Sequence, residues 1–353
     1  MGETIRAVVA HGIGDLRVEH REAPTPGPGH VAVRVRYGGI CGSDLHYWRH
    51  GAVGDFRVRE PLTLGHEVVG EVHGVGEGVA VTAALEVGTP VAVHPATPCG
   101  TCPQCAQGRR NICATSRYLG SAAHFPHVQG GFADLLIAPA AQVLALPPDL
   151  DSRRAALAEP AAVAWHAVSR AGDVRNKSVL VTGAGPIGCL VVAALRTAGA
   201  AEITVTDLHE QPLGIAASVG ATRTLLATES TDDLRVDVAI ESSGSPAGLA
   251  AAIVGLHPGG RLVGLGLLAH GQAPVAVNTV ITRELEYVGS FRFDTAIRDV
   301  LGAMADGSLF VDPVVTAVRP VDDAAEAFAL AAAPERSCKV LLDFGDLSEG
   351  DGR

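Results

Sequence analysis

Up to about residue 150 the chain alternates apolar and polar positions in short runs, HVAVRVRYGG (30–39), EVVGEVHGVG (67–76) and TPVAVHPA (89–96), broken by glycine and proline. A period of two with frequent turn residues predicts a twisted antiparallel β domain. From about residue 155 the texture changes. Alanine-rich helical stretches alternate with short apolar runs, SVLVTGAG, EITVTD, RTLLA, VDVAIESSG, RLVGLGLL and LEYVGSF, and strands that alternate with helices build a doubly wound parallel sheet. After Phe293 come the helical TAIRDVLGAMADGSL and DDAAEAFALAA, then a strand-like CKVLLDF. The expected architecture is α/β, with a β-rich domain at 1–155, a nucleotide-type domain at 156–293 and a segment at 294–353 that returns to the first. The polar, glycine-rich end GDLSEGDGR is expected to fray.

Composition narrows the class. A chain of 353 residues, 47% hydrophobic, can bury two cores, which sets aside disordered and collagen-like readings. A formal charge of −11 lacks the basic surplus that tracking a phosphate backbone requires, so no nucleic-acid partner is expected. The opening MGETIRAVVAHGIGDLRVEH reads as a strand pair and lacks the basic region and long apolar core of a secretion signal. Stretches such as CLVVAALRTAGAA are too short to span a bilayer, where about 20 residues are needed. A cytoplasmic location is expected, and the seven cysteines, an odd number, argue against a complete disulfide framework.

The run SVLVTGAGPIGCLVVAAL sets Gly183, Gly185 and Gly188 as G-x-G-x-x-G, with Pro186 and Ile187 inside it, directly after an apolar strand and at the start of a helical pattern. In that context the motif predicts a dinucleotide cradle. Gly183 permits the turn, Gly185 lets a pyrophosphate approach the backbone, and Gly188 lets helix and strand pack closely. About 20 residues on, Asp207 closes EITVTD, where a carboxylate accepts from ribose hydroxyls and repels a 2′-phosphate. The next residues, LHEQ, include no arginine. NAD is therefore expected over NADP.

Cysteines 99, 102, 105 and 113 lie in CGTCPQCAQGRRNIC, a spacing that wraps one tetrahedral zinc ion and leaves no position for a substrate. That zinc is expected to be structural, with Arg109 and Arg110 offsetting part of the thiolate charge. A second set is scattered: Cys41 in GICGSDLH, His66 in LGHE and Glu159 in AEPAAVAWH. Either Cys41 or His66 alone reads as a buried core residue. Together they suit a catalytic zinc with three protein ligands and one open position, whose third donor is an oxygen because no cysteine lies between 113 and 189. Glu159, at the change from β to helical texture, is the favoured ligand. Glu67, beside His66, is the competing carboxylate and is expected to sit around the ligands.

Together these motifs resemble the zinc-dependent medium-chain dehydrogenase family over nearly the whole chain. CGSDLHYW, LGHE, the four-cysteine lobe and AEPAAVAWHA resemble its polyol branch, where a glutamate stands in place of the cysteine of alcohol dehydrogenases. The resemblance implies a GroES-like catalytic domain and a Rossmann domain, NAD and two zinc ions per chain, a small-molecule substrate and a homo-oligomer paired through edge strands near Val288. It also implies a proton relay through Ser43 and His46. The segments CGSDLHYWRHGAVGDF, RYLGSAAHFPHVQGGFAD and GSFRF resemble branch members that oxidise the sugar acid L-idonate. Arg292 is then the expected partner of a carboxylate or hydroxyl, with His124, His127, Tyr47 and Trp48 as further substrate contacts. Each of these also fits a plain role, the histidines as loop residues and the aromatics as packing. Sorbitol- or xylitol-type oxidation is the competing activity. A nucleotide-binding protein that lost catalysis is a third reading, opposed by the intact ligand set.

Overall fold

The computed structural model describes residues 3–345 apart from 81, 230–233, 269–270 and 272. The chain divides into two compact units. The first runs to Glu159 and takes back Ala317–Ala332 and the chain from Lys339; the second is Pro160–Thr316 with Ala333–Cys338. The return to the first unit thus comes later than residue 294. Helix Ala296–Ala305 stays in the second unit, where Ile297, Val300, Leu301 and Met304 are buried. Past Gly345, the tail expected to fray lies outside the described residues.

In the first unit the opening strand pair is Thr4–Gly12 antiparallel to Asp15–Glu22. The larger sheet centres on His30–Gly39, which buries alternate valines as its period of two requires. Strand Glu67–Val75 covers one flank of it. The other flank is shared by Leu135–Pro139 along residues 30–34 and by Lys339–Asp343 along residues 37–39. Val33, Val35, Leu64, Val68, Phe132, Phe328, Val340 and Leu342 form one core, so the end of the chain completes a domain begun at its start.

In the second unit, six parallel strands among the described residues follow the order Arg223–Leu226, Glu202–Asp207, Ser178–Thr182, Val236–Glu241, Leu256–Gly264, Glu286–Gly289. Val179, Leu180 and Val181 are almost fully buried, as apolar strands covered by helices on both faces must be. The order reverses between Ser178–Thr182 and Val236–Glu241, the point where doubly wound sheets open a ligand crevice. No described helix is long and apolar enough to cross a membrane.

Candidate metal and cofactor sites

Cys41 caps helix Gly42–His50. Its backbone N–H donates to Asp44 Oδ2 at 2.9 Å, while Asp44 Oδ1 accepts from Gly65 N at 3.2 Å. One wholly buried carboxylate therefore ties the segment bearing Cys41 to the segment bearing His66. Gly65 has φ +95°, and a side chain there would strike the Phe132 ring. That turn delivers His66 and then Glu67 into the interior. The ligand atoms of Cys41, His66 and Glu67 all lie within 4.8 Å of one another, and His66 Nδ1 is 3.9 Å from Asp44 Oδ1.

Both carboxylates named from the sequence are buried, and each has its own donor. Glu159, near the start of helix Ala158–Ala171, accepts from the Tyr118 hydroxyl at 2.6 Å. Glu67 accepts on both oxygens from Lys339 Nζ, at 2.7 and 2.8 Å. Burial pushes Glu67's carboxyl up, against the pull of Lys339, and the charge of Glu159 adds to the rise. His66 is pushed down by burial, yet Cys41, Asp44 and Glu159 together lift it to about 10. Buried acidic groups need compensating charge, and Lys339 supplies it to Glu67. Thiolate, imidazole and carboxylate are zinc donors, so the residues fit that metal.

The four-cysteine lobe also fits zinc. Sγ of Cys113 lies 3.6 Å and Sγ of Cys105 4.0 Å from Sγ of Cys99, and all four sulfurs lie within 4.8 Å of one another. A tetrahedron with metal–sulfur bonds of 2.3 Å has edges of about 3.8 Å. Backbone N–H groups of Thr101 and Cys102 pull the Cys99 thiol down to about 5, the charge state of a ligand. Cys105, pushed by burial and its neighbouring thiols, stands near about 12, as the last proton in a cluster of thiols must.

In the second unit, Gly183 has φ +93°, and a side chain there would press on the Ser243 backbone; one at Gly188 would overlap the Gly183 carbonyl oxygen. Nothing lies within 4 Å of where a Cβ of Gly185 would be. That open space fits a pyrophosphate over the turn, with Pro186 and Ile187 opening helix Pro186–Thr197. Asp207 Oδ2 accepts from Ala184 N at 2.7 Å and Oδ1 from His209 N at 3.0 Å, so it braces the turn whose ligand it is expected to bind. Sequence reasoning missed Glu241, at the end of the strand across the switch point. Its Oε1 accepts from Ser243 N and Gly244 N at 2.8 and 3.0 Å, and Ser242 Oγ donates to the Gly183 carbonyl at 3.0 Å. The run ESSG after an apolar strand carried that signal.

The expected substrate contacts divide. Ser43 and His46 stand one turn apart on helix Gly42–His50, and burial, His50 and Arg49 lower His46's pKa. His127 is buried with both nitrogens engaged: Nε2 accepts from Arg59 N at 2.9 Å and Nδ1 donates to the His124 carbonyl at 2.8 Å. His124 Nε2 donates to the Ser116 carbonyl at 3.0 Å. These rings staple the loop that carries them. Tyr47 lies in the core and its hydroxyl accepts from Ala122 N at 3.0 Å, while Trp48 packs edge-on against Phe328. Tyr47 thus has a packing role and His127 a loop-holding one. Arg292 belongs to the second unit, has φ +51° and lies 4.8 Å over the Phe291 ring.

Comparison with known proteins matches residues 27–148 to an alcohol dehydrogenase GroES-like domain and residues 186–306 to a zinc-binding dehydrogenase. The chain is 36% identical over 321 residues to L-idonate 5-dehydrogenase (NAD(P)(+)) of Escherichia coli, covering 88% of this chain and 91% of that one. It is also 36% identical over 339 residues to sorbitol dehydrogenase of Bos taurus, covering 91% of each. The crystal structure of the E. coli L-idonate 5-dehydrogenase superposes with a TM-score of 0.90 at 33% identity, covering 98% of this chain and 99% of that one.

Proposed function

We propose, for a chain that belongs to the zinc-dependent medium-chain dehydrogenase family and to its polyol branch, that the reaction is the NAD-linked interconversion of L-idonate and 5-dehydro-D-gluconate. The observation that carries an oxidoreductase reading is the cluster of the half-buried Cys41 with the buried His66 and Glu67, in a chain that also has a glycine cradle fitted to a dinucleotide. Cys41, His66 and Glu159 would hold the catalytic zinc, and Cys99, Cys102, Cys105 and Cys113 a structural one. When bound, zinc supplies Lewis acidity that lowers the pKa of a substrate hydroxyl, and NAD supplies the hydride acceptor.

The chain's own residues carry the proton and the orientation. Ser43 accepts the C5 hydroxyl proton and His46, one turn along the helix and kept neutral by its lowered pKa, passes it to solvent. Tyr118 orients Glu159. Arg292 meets the substrate's carboxylate with a bidentate, charge-assisted pair. Asp207, followed by LHEQ without an arginine, favours NAD over its phosphorylated form. Strand Glu286–Gly289 is an edge of its sheet, with Tyr287 56% and Ile281 66% exposed nearby; pairing of two such edges supports a homo-oligomer.

Oxidation of a neutral polyol such as sorbitol or xylitol is the alternative, favoured by the equal identity to the bovine sorbitol dehydrogenase. Initial rates of NADH formation by the zinc-loaded protein with L-idonate, D-gluconate, D-sorbitol and xylitol separate the two. A higher kcat/KM for L-idonate, lost on Arg292→Ala through KM, supports the sugar-acid reading. A higher kcat/KM for sorbitol or xylitol replaces it with the alternative.

A further inference from the structure

We propose that Glu241, at the end of strand Val236–Glu241, is a positioning residue for the dinucleotide: it fixes the turn Ser242–Gly244, and that turn fixes the glycine turn over which a pyrophosphate fits. The proposal rests on the cofactor reading above and deepens it.

Glu241 is 2% exposed, and no described lysine or arginine pairs with it. A buried carboxylate without a cation is costly unless donors surround it. Here they come from the residues that follow. Oε1 accepts from Ser243 N at 2.8 Å, Ser243 Oγ at 2.5 Å and Gly244 N at 3.0 Å, charge-assisted bonds that set the path of the turn. The Glu241 carbonyl accepts from Leu265 N and Gly266 N, both at 2.9 Å, so one residue ties together the ends of two adjacent strands. A side chain at position 266 would overlap Gly244 N and come within 2.7 Å of Glu241 Oε2.

The turn so fixed bears on the glycine turn. Ser242 N donates to the Thr182 carbonyl at 2.9 Å, and Ser242 Oγ lies 2.9 and 3.0 Å from the carbonyl oxygens of Thr182 and Gly183. Gly183 faces the Ser243 backbone so closely that a Cβ would come within 2.8 Å of it. The next residue, Ala184, is held from the other neighbouring strand by Asp207 Oδ2. Two carboxylates therefore clamp one turn from its two flanks. A strand needs no buried acid merely to end, since glycine, asparagine or serine turns the chain without burying a charge. A cradle that meets a pyrophosphate, by contrast, gains from being rigid before the ligand arrives.

The test is calorimetric titration of the full-length, zinc-loaded protein with NAD and with ADP-ribose, which shares the adenosine and the pyrophosphate but has no nicotinamide, at a temperature where circular dichroism shows each variant folded. Glu241→Ala is expected to weaken both ligands by the same factor, about tenfold. Glu241→Gln, which keeps an oxygen able to accept, is expected to stay within about threefold of the unaltered protein. Weaker NAD with ADP-ribose unchanged puts Glu241 on the nicotinamide half itself and overturns the proposal, as does Glu241→Gln binding no tighter than Glu241→Ala. Should Glu241→Ala fail to fold, Ser242→Ala decides: it removes the hydroxyl between the two turns, and both ligands are expected to weaken by about threefold or more, whereas unchanged affinity overturns the proposal. If the unaltered protein binds neither NAD nor ADP-ribose, the cofactor reading falls and takes this proposal with it; binding of both that Glu241→Ala leaves unchanged overturns the proposal alone.

Discussion

The lobe between Cys99 and Cys113 takes four identical donors from one short stretch of chain, partly at the surface. The centre around His66 brings together unlike donors from positions 41, 66 and 67, buries the histidine and the carboxylate, and adds a lysine from position 339. A local site can close on its metal with little help from the rest of the fold. A scattered one needs the fold to be finished before its donors can meet. Closure gives stability, and an open position gives chemistry.

The sharpest way to break this contrast is to remove one sulfur from each site. Cys41→Ser is expected to lower kcat/KM by more than about 100-fold, beyond what an outer-shell residue contributes, while the melting temperature stays within a few degrees. Cys113→Ser is expected to do the reverse. It loses one zinc per chain by atomic absorption and melts about 10 °C lower, because a structural zinc supplies folding energy directly. Equal effects of the two variants on melting would erase the distinction. A smaller change sharpens it: Tyr118→Phe removes the hydroxyl that orients Glu159 and should weaken zinc at the mixed-donor centre about tenfold, with the lobe unaffected in a chelator titration.

The contrast extends to protons. His46→Gln should lower kcat by less than about 100-fold, with added imidazole restoring part of the loss; no loss at all would remove His46 from the relay. The smallest effect is on stability. Burial, His50 and Arg49 hold His46 below the ordinary imidazole value, so as the pH falls below about 6.5 the unfolded chain takes up the proton first. Stability therefore drops slightly on the acid side, and His46→Gln should flatten that drop in melting curves taken between pH 5 and 7.

What the sequence made legible follows the same line. The four-cysteine spacing, the glycine turn with Asp207 and the switch from a period of two to strand–helix alternation are local patterns, and the structure carries each of them. Asp44 was half visible, since an acid three residues after the cap is a capping pattern, but its bond to Gly65 needed the fold. Lys339 was hidden in CKVLLDF, where a lysine at the start of an apolar run reads as a solvent-facing strand end. It is buried because that strand enters the sheet beside residues 37–39. His127 and Tyr47 also have partners that only the fold supplies. Their chemistry suits a substrate, yet tertiary structure gives their polar atoms to Arg59, His124 and Ala122, partners distant enough along the chain or ordinary enough that no motif marks them.

One measurement bears most directly on the claim of one closed and one open metal site: zinc content, dehydrogenase activity and far-ultraviolet circular dichroism followed together during timed exposure to a chelator. The account predicts two zinc ions per chain, with the first released in step with activity while the fold persists, and the second leaving slowly with loss of structure. Activity that survives release of the first zinc, or loss of both ions in a single phase with unfolding, would contradict it.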